Sequence, residues 1–406
     1  MPHPSPDVEW GAGDASREPA GGAMPAHVYF HVPFCASKCS YCDFFSVEAG
    51  RAREQAARAY EALFEQWAGW VSRLGLRLAT TAYVGGGTPT ALGAARVAAF
   101  VATVRAEMCE AHDPEVTVEA NPESLDEQTV AMLADAGATR VSLGVQAFHD
   151  DLLAVLGRPH DATRALNAAR TVVSHGLELS VDLICGIPGQ TLDMWRSSVH
   201  YAIETGARHV SVYPLSLESG TPLAAEVMLG RYRALDEDLV ADMMLLARNL
   251  LEDAGLRRYE VANYAEPGRE CRHNLAYWTG REYLGIGPSA HGMLRAETAR
   301  EAGFVVPEGA ARVRYAVAAD LTQGFGEWPA MTVETLDAEQ AAREDVMLGL
   351  RLAEGVALEL VERAGLGVVV EGLVARGLLE RTADRVRTTD RGWLLGNEVF
   401  GAVWTG

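Results

Sequence analysis

Residues 27–42 read HVYFHVPFCASKCSYC, and this stretch decides the fold. Its first six residues place apolar side chains at every second position, which predicts a β-strand over 27–32. Three of the six cysteines follow directly, as Cys35, Cys39 and Cys42. In a chain of this size, thiols crowded into a loop at a strand end indicate metal binding or redox chemistry rather than a disulfide framework.

The spacing of these cysteines suits a [4Fe–4S] cluster. A cubane takes about one thiolate per iron, so three thiolates leave one iron open. An open iron can chelate S-adenosylmethionine (SAM), whose one-electron reduction releases a 5′-deoxyadenosyl radical. The alternative is a structural zinc site with His31 or another residue as fourth ligand, but zinc sites favour a second cysteine pair, which the sequence lacks. We therefore expect Cys35, Cys39 and Cys42 to ligate the cluster.

Length and composition exclude several classes of protein. A chain of 406 residues with 49% hydrophobic residues predicts one large folded domain and a smaller one. A net charge of -20 gives no general attraction to nucleic acid, so we expect no such partner. We find no apolar run of transmembrane length and no signal peptide at the start. Residues 1–24 are predicted to be a disordered leader, and the location is predicted to be cytoplasmic.

Strand-like runs alternate with helical stretches up to residue 213. Strands are predicted at 27–32, 81–84, 115–120, 140–145, 178–184 and 209–213. Helices are predicted at 53–74, 94–110, 126–136, 162–175 and 192–204. Such alternation predicts an α/β fold with a parallel sheet of six βα units, over residues 25–225. Polar residues on one face of each strand favour an open, partial barrel, because a closed barrel of eight strands fills with apolar side chains.

The second half of the sequence is less regular. A barrel extension is expected over 226–330, with a long helix at 235–254 and a loop at 299–312. Residues 331–406 are expected to form a helical, winged-helix-like domain, with a helix at 370–377 and two short strands within 378–388. Because this domain lacks a basic recognition helix, we interpret it as a packing or partner-contact module. Cys109 and Cys185 are predicted to be buried structural thiols.

A glycine run ends the second strand, where residues 83–90 read YVGGGTPT. Glycines permit close approach of the backbone, so exposed N–H and C=O groups of this run are candidates to hold the amino end of SAM. The alternative is a plain tight turn before a helix. Beside the cysteine loop, a binding role is the better interpretation.

Four polar residues are candidates to surround the cofactor. Glu119, Gln146 and Asp182 lie on the inward face of their strands, and Arg158 lies in a loop. Carboxylates suit ribose hydroxyls and an ammonium group, and a guanidinium suits a carboxylate. The alternative for each residue is a solvated or locally paired side chain.

Taken together, five segments resemble the oxygen-independent coproporphyrinogen III oxidase family of radical SAM proteins. They are residues 29–35, 85–90, 119–123, 142–146 and 182–191, and the match runs in order from about residue 27 to the C-terminus. The resemblance implies a radical SAM partial (β/α)6 barrel with a helical C-terminal domain, and the three cysteines as cluster ligands. The residues that it implies for SAM are Tyr29, Gly86, Gly87, Thr88, Glu119, Gln146, Arg158 and Asp182.

Two features separate the branches of that family. The true oxidases carry a fourth cysteine two residues after the third, where this chain has Phe44. The form Cys-Asp-Phe resembles the heme chaperone branch, and so does CRHNLAYW at 271–278. This second resemblance implies a heme-binding segment, with contacts from His273, Asn274, Tyr277 and Trp278. From the residues alone, a capped helix start with core aromatic side chains stays open as the alternative.

The expected function is therefore a chaperone that binds heme or porphyrin and delivers it to an acceptor protein, which can be membrane-associated. The alternatives are coproporphyrinogen III dehydrogenase and a radical SAM methyltransferase or heme-degrading relative. Phe44 argues against the dehydrogenase, and the question whether the chain is an enzyme stays open. The GxGxxA pattern at 285–290 imitates a dinucleotide motif, but no predicted helix follows it, so we expect no nucleotide site.

Overall fold

The computed structural model describes residues 26–76, 79–325 and 329–405, so the predicted leader lies outside the described residues. The strands are β1 (His27–Val32), β2 (Phe34–Cys35), β3 (Val47–Glu48), β4 (Thr81–Gly86), β5 (Glu115–Ala120), β6 (Arg140–Gln146), β7 (Glu178–Cys185), β8 (His209–Pro214), β9 (Arg257–Arg258), β10 (Asn263–Ala265), β11 (Tyr283–Ile286), β12 (His291–Arg295), β13 (Arg312–Val317), β14 (Met331–Leu336), β15 (Val356–Ala357), β16 (Leu379–Arg381) and β17 (Arg385–Thr388).

The helices alternate with these strands in the first half and dominate the last seventy residues or so. They are α1 (Arg53–Leu74), α2 (Ala94–Glu107), α3 (Glu127–Asp135), α4 (Asp150–Val155), α5 (Ala162–Ser174), α6 (Leu192–Glu204), α7 (Pro222–Met228), α8 (Glu237–Asp253), α9 (Arg272–Trp278), α10 (Ala296–Glu301), α11 (Ala338–Gly349), α12 (Leu358–Arg363), α13 (Gly367–Ala375), α14 (Asp390–Leu394) and α15 (Gly396–Thr405).

Twelve strands form one mixed sheet in the order β14-β13-β12-β11-β1-β4-β5-β6-β7-β8-β10-β9. The six predicted parallel strands, β1 and β4 to β8, are confirmed and lie side by side. Strand β11 adds a seventh parallel strand beside β1, which the sequence pattern did not indicate. The remaining strands extend both edges of the sheet in antiparallel pairings.

The two faces of the sheet differ as the alternation predicts. The apolar face packs under the helices: the Phe30 ring lies 5.5 Å from that of Trp67 and 4.9 Å from that of Phe100, in edge-to-face contacts. All three side chains are buried, and each such burial stabilises the fold by about 1.5–3 kcal/mol. The polar face lines a cavity to which both β1 and β8 contribute, so the sheet is curved into a partial barrel.

Three helices of the barrel region begin at polar side chains that cap them. Asp126, Asp161 and Thr191 each accept a hydrogen bond from the backbone N–H three residues later, at the start of α3, α5 and α6. This capping satisfies an amide that has no partner within the helix. Each cap thereby fixes the residue at which its helix begins.

The C-terminal unit has its own apolar core and a three-stranded sheet of β15, β17 and β16. Helices α11, α12 and α13 precede the hairpin of β16 and β17, which is typical of a winged helix. The predicted helix closed by Gly377 and the two short strands are confirmed. Strand β14 pairs with β13 in the large sheet, so this unit begins after Leu336 rather than at residue 331.

Two further predictions can be compared with the structure. The loop expected over 299–312 is wrong at its start, because α10 runs from Ala296 to Glu301 and buries Ala299. The GxGxxA pattern spans the end of β11 and the connection to β12, so a strand and not a helix follows it. A Cβ at Gly285 would lie 1.9 Å from the carbonyl oxygen of His291, so this glycine serves strand packing.

Candidate functional site

The cysteine loop is closed at its base by a small sheet. Strands β2 and β3 pair in parallel, with Cys35 opposite Glu48. The Val47 amide donates to the Pro33 carbonyl at 2.8 Å, and the Ala49 amide donates to the Cys35 carbonyl at 2.9 Å. The loop over 36–46 is therefore clamped where it leaves and rejoins the barrel.

The tip of the loop is anchored to the far side of the barrel mouth. The Ser40 amide donates to the Leu156 carbonyl at 3.0 Å, and the Ser40 carbonyl accepts from the Leu223 amide at 2.8 Å. These bonds hold the loop over the carboxyl ends of the strands, where α/β sheets bind ligands.

A cavity of about 580 Å³, here called the cluster cavity, lies under this loop. All three thiols of the loop line it and are partly exposed. The structure brings together every residue that the sequence assigned to the cluster or to SAM: Tyr29, Cys35, Cys39, Cys42, Gly86, Gly87, Thr88, Glu119, Gln146, Arg158 and Asp182.

Two of the three loop thiols are made less acidic by their surroundings. Burial raises the pKa of Cys35 and Cys42, so a metal would have to displace their protons. Among the residues that the structure describes, no three His, Cys, Asp or Glu side chains are placed to hold a metal ion together. His31, the candidate fourth ligand of a zinc site, donates through Nε2 to the Phe45 carbonyl at 3.0 Å and accepts from the Tyr29 hydroxyl at Nδ1. Both ring nitrogens of His31 are thus engaged within the protein, so His31 is not placed as a fourth zinc ligand in this conformation.

The glycine run fits tightly against its neighbours. Gly86 has a φ of +98°, and a Cβ there would lie 2.4 Å from the His31 ring. A Cβ at Gly87 would lie 2.6 Å from the Val32 carbonyl oxygen. The amides of Gly86, Gly87 and Thr88 all donate within the protein, so the expectation of free N–H groups here is wrong. These three amides bond Glu119 on β5, Val32 on β1 and Phe34 on β2, and so fix the loop to three neighbouring strands.

Two carboxylates face the same cavity from different strands. Glu119 Oε2 accepts from the Gly86 amide at 2.8 Å, and Asp182 accepts from the Ser142 hydroxyl at 3.1 Å. Desolvation raises the pKa of Glu119 to about 7 and that of Asp182 to about 6, although hydrogen bonds stabilise both ionised forms. A cationic ligand would favour ionisation of both groups. The positively charged sulfonium and ammonium groups of SAM meet this requirement.

Arg158 connects the cysteine loop with the strands. Its Nη1 donates to Cys39 Sγ at 3.2 Å, and its Nη2 donates to Asn121 Oδ1 at 2.6 Å and to the Gly144 carbonyl at 2.7 Å. The buried Nε–H has no acceptor among the described residues. Since a guanidinium is a good donor to carboxylates, this free N–H fits the carboxylate of SAM.

Gln146 is aimed into the cavity by an irregularity of the sheet. The register between β6 and β7 shifts between Gly144 and Gln146, and Gln146 has a φ of +67°. A positive φ is uncommon for a residue other than glycine and indicates a local constraint. A Cβ at Gly144 would lie 2.7 Å from Asn121 Oδ1. Alternation along the strand also predicts that the side chain of Gln146 points inward. In the structure its direction is set at the bulge, where the backbone departs from a regular strand.

The segment over 271–278 forms α9, which is held at the opposite, N-terminal end of the strands. The Glu115 carboxylate accepts from the backbone N–H groups of Arg272 and His273, at 3.0 and 3.1 Å. A carboxylate is favourable at a helix N-terminus. Glu115 also pairs with the buried Arg140 at 3.1 Å. The helix start is therefore capped, as the alternative interpretation expected.

His273 lies inside the protein, with only 1% of its surface exposed. Its Nδ1 lies 2.8 Å from Thr81 Oγ1, and its Nε2 lies 2.8 Å from the Tyr277 hydroxyl. Its ring stacks on Tyr83 at 5.2 Å. Burial lowers the pKa of His273 well below its usual value. Both ring nitrogens are thus engaged, and this conformation does not present them to a heme iron.

Tyr277 and Trp278 reach a different place from His273. They line a second cavity of about 590 Å³, here called the edge cavity, between strands β12 to β14 and helices α9 and α11. Asn274, the fourth residue of the predicted heme set, is partly buried on α9 and does not line this cavity. The structure therefore divides the four predicted residues between the interior, the helix surface and the edge cavity.

Comparison with known proteins agrees with this geometry. The model of the Radical SAM superfamily matches residues 29–202, and that of the HemN C-terminal domain matches residues 336–395. The heme chaperone HemW of Mycobacterium tuberculosis is 38% identical over 385 residues, which are 93% of this chain and 94% of that protein. The heme chaperone HemW of Lactococcus lactis is 34% identical over 93% of this chain and 96% of that protein.

The chain belongs to the HemW family of radical SAM proteins. A radical SAM domain implies a [4Fe–4S] cluster and SAM, in agreement with the convergence of three thiols, two carboxylates and Arg158 in the cluster cavity. Coproporphyrinogen III oxidase HemN from Escherichia coli shares the fold, with a TM-score of 0.74 over 94% of this chain and 90% of that chain, at 19% identity. At that identity the likeness concerns the fold alone.

Other residues of this HemW family member were missed or misjudged from the sequence. Asn121 donates to Thr88 Oγ1 at 2.8 Å and accepts from Arg158, and its position two residues after Glu119 on the inward face was a usable signal. Cys185 is buried as predicted, but Cys109 is exposed, because α2 ends at Glu107. No helix in the described part of the chain is both long and apolar enough to cross a membrane.

Proposed function

We propose that this protein is a heme chaperone, which binds heme and transfers it to an acceptor protein while a [4Fe–4S] cluster and SAM occupy the cluster cavity. The proposal rests on one observation above others. Three loop thiols converge at the cavity, and the position of the fourth cysteine of the oxidases is held by Phe44, whose surface is 70% exposed. The HemW relatives, which match most of the chain, support the same function.

Within this proposal Cys35, Cys39 and Cys42 ligate the cluster, which together with SAM supplies one-electron chemistry when bound. Arg158 would orient the carboxylate of SAM through its free Nε–H while it fixes Cys39. Glu119 would stay ionised beside the cationic end of the same ligand. The exposed rim at Phe44 offers a face that an acceptor or a reductant can reach.

The remaining assigned residues have supporting roles. Tyr29 and Thr88 line the wall of the cavity, and Thr88 is buried. Gln146 and Asp182 would contact the nucleoside of SAM, for which an amide and a carboxylate are suitable partners. Gly86 and Gly87 leave the space that the loop needs beside His31 and Val32.

The heme would be bound by the segment that carries Tyr277 and Trp278. Aromatic side chains pack well against a macrocycle, and both residues line the edge cavity. We also propose a cytoplasmic location, where reducing conditions keep the three thiols available for iron. The acceptor, whether membrane-associated or not, would dock after heme is loaded.

Coproporphyrinogen III dehydrogenase is the alternative with less support, because relatives that match most of the chain carry the heme chaperone name and because Phe44 replaces the fourth cysteine. The experiment is anaerobic incubation of the cluster-reconstituted protein with coproporphyrinogen III, SAM and a reductant, read by mass spectrometry. We expect no decarboxylated product from a sample whose cluster is intact by spectroscopy. Formation of the two-carboxylate product would overturn the chaperone proposal in favour of the oxidase.

A further inference from the structure

The edge cavity lies on the same concave face of the sheet as the cluster cavity, but beyond β1. Tyr283 pairs with His27 across β11 and β1, and it pairs with Met293 across β11 and β12. Met293 in turn pairs with Arg314, and Arg314 pairs with Glu334. Cross-strand partners share a face of the sheet, so the inner face of the barrel continues into the edge cavity.

The walls of the edge cavity contain several large apolar side chains beside the charged residues Arg314, Glu334 and Glu344. Trp278 from α9, Met293 from β12, and Met347 and Leu348 from α11 contribute large apolar side chains. Its volume of about 590 Å³ lies within the usual range of roughly 300–1,000 Å³ for ligand pockets. Aromatic and thioether groups pack favourably against a π-system.

One imidazole is open to this cavity. His291 begins β12, is exposed, and is the histidine among the residues that line the cavity. It pairs across the sheet with Ala316, which lines the same cavity. His273 has both ring nitrogens engaged inside the protein, so His291 is the imidazole that an iron in the edge cavity can reach.

Donors for carboxylates lie at the same cavity. The indole N–H of Trp278 is buried and has no acceptor among the described residues. An unpaired buried donor is costly and indicates a missing partner. Arg314 is partly exposed and contacts Glu344 at 2.5 Å and the exposed Glu334. Exposed ion pairs contribute little to the free energy of folding. A propionate can therefore replace Glu334 as the partner of Arg314 with little loss of stability.

We propose that the edge cavity is the tetrapyrrole site and that His291, rather than His273, is the axial ligand of the heme iron. This inference rests on the proposed chaperone function. Arg314 donates to a propionate at the rim of the cavity, and Trp278 packs beside the macrocycle. Heme iron is commonly held by a histidine, and the neutral macrocycle is covered by the apolar walls.

His273 then has a positioning role between the two cavities. Tyr29 lines the cluster cavity and Tyr277 lines the edge cavity. The ring of His273 lies 6.4 Å from that of Tyr29 and 5.0 Å from that of Tyr277, and it bonds the Tyr277 hydroxyl. This contact fixes Tyr277 at the wall of the edge cavity. Loss of His273 therefore weakens heme binding without changing the axial ligand.

The test is hemin titration of the full-length, cluster-reconstituted protein under anaerobic conditions, with affinity read from the Soret band and axial ligation from electron paramagnetic resonance. For His291→Ala we expect a loss of affinity beyond the roughly 10- to 100-fold that removal of an outer-shell partner costs. We also expect the histidine-type spectrum to disappear and to return on addition of imidazole. His200→Ala, at an exposed position on α6, is the matched control and should bind like wild type.

Two further variants keep the inference testable if His291→Ala is poorly folded. Ala316→Phe should block the cavity and abolish stoichiometric binding, whereas Val305→Phe, at a residue 95% exposed, should not. His273→Ala should bind about tenfold more weakly and keep the histidine-type spectrum, as expected of an outer-shell partner.

The outcomes separate the site from the function. If wild type binds no hemin, the chaperone proposal itself fails. If wild type binds hemin, but His291→Ala and Ala316→Phe bind it equally well with unchanged ligation, the edge cavity is the wrong site and the chaperone proposal stands. Loss of the histidine-type spectrum in His273→Ala alone would assign the ligand to His273 and overturn the inference.

Discussion

The cluster cavity and the edge cavity have nearly the same volume and lie on one face of one sheet, but they are built differently. The first gathers polar side chains from the ends of consecutive parallel strands, together with a loop of three thiols. The second is formed by antiparallel edge strands and two helices from later in the chain, and its walls combine large apolar side chains with Arg314, Glu334 and Glu344. The two cavities thus differ in the elements that build them and in the thiols, which line the first alone, and this difference favours two separate ligands.

The largest effect should come from the cysteine loop, which only the cluster cavity has. Cys39→Ser removes one of three thiolates and the partner of Arg158, so we expect essentially complete loss of the cluster. Iron content and the absorption spectrum of the anaerobically reconstituted protein measure this. Cys109→Ser, at an exposed cysteine outside the cavity, is the matched control and should keep its cluster. Full iron content in Cys39→Ser would remove Cys39 from the ligand set.

The glycine run tests how tightly the wall of the cluster cavity is packed. Gly86→Ala places a Cβ against His31, whereas Gly93 has a φ of +103° and open space around it. Both alanine variants carry backbone strain, but only the first is overpacked. We expect the free energy of unfolding of Gly86→Ala to fall by about 1–3 kcal/mol more than that of Gly93→Ala. Equal losses in chemical denaturation would mean that the contact with His31 is easily relieved.

Arg158 tests the polar character of the cluster cavity. Arg158→Lys keeps the charge but loses the fork that joins Cys39, Asn121 and Gly144. Since lysine does not replace bidentate contacts, we expect SAM affinity to fall by about tenfold, the equivalent of one charge-assisted hydrogen bond. Isothermal titration calorimetry measures this affinity for SAM. Arg231→Lys, in an exposed pair with Glu226, should bind as wild type does. Unchanged affinity in Arg158→Lys would argue against a contact with SAM.

The smallest effect should be the pH dependence of SAM affinity. Desolvation raises the pKa of Glu119 to about 7, so this carboxyl becomes protonated and neutral as the pH falls below 7. A cationic ligand prefers the ionised form, so affinity should fall from pH 8 to pH 6, by at most about tenfold per pH unit for one proton. Glu119→Gln should bind more weakly and lose this part of the slope. An unchanged slope in that variant would assign the titration to another group.

The residues of the cluster cavity could be predicted because the patterns that identify them lie within short segments of the sequence. Period-two alternation in 115–120 and 178–184 identified the inward residues Glu119 and Asp182, and parallel pairing brings the carboxyl ends of such strands together. Arg158 lies in a loop outside this alternation, so its chemistry made it a candidate but its spacing gave it less support than the strand residues had, and the resemblance to a family added to that support. Asn121 was missed because it follows the last residue of its strand, although it bonds both Thr88 and Arg158.

The edge cavity could not be predicted in the same way. Its formation depends on β11 joining β1 in parallel, a contact between residues about 250 positions apart, and on β12 to β14 continuing the sheet outward from β11. His291 begins a strand of only five residues. The motif over 271–278 pointed to the right region of the chain, but it did not reveal that α9 directs His273 inward and Trp278 towards the cavity.

The most direct test of two cavities with two ligands is hemin titration of the Cys39→Ser protein beside wild type, under anaerobic conditions. If heme occupies the edge cavity, the variant that has lost its cluster binds one equivalent of hemin with wild-type affinity and the same histidine-type spectrum. If hemin binding disappears together with the cluster, or if hemin displaces SAM from the wild-type protein, the two ligands share one site and the account is contradicted.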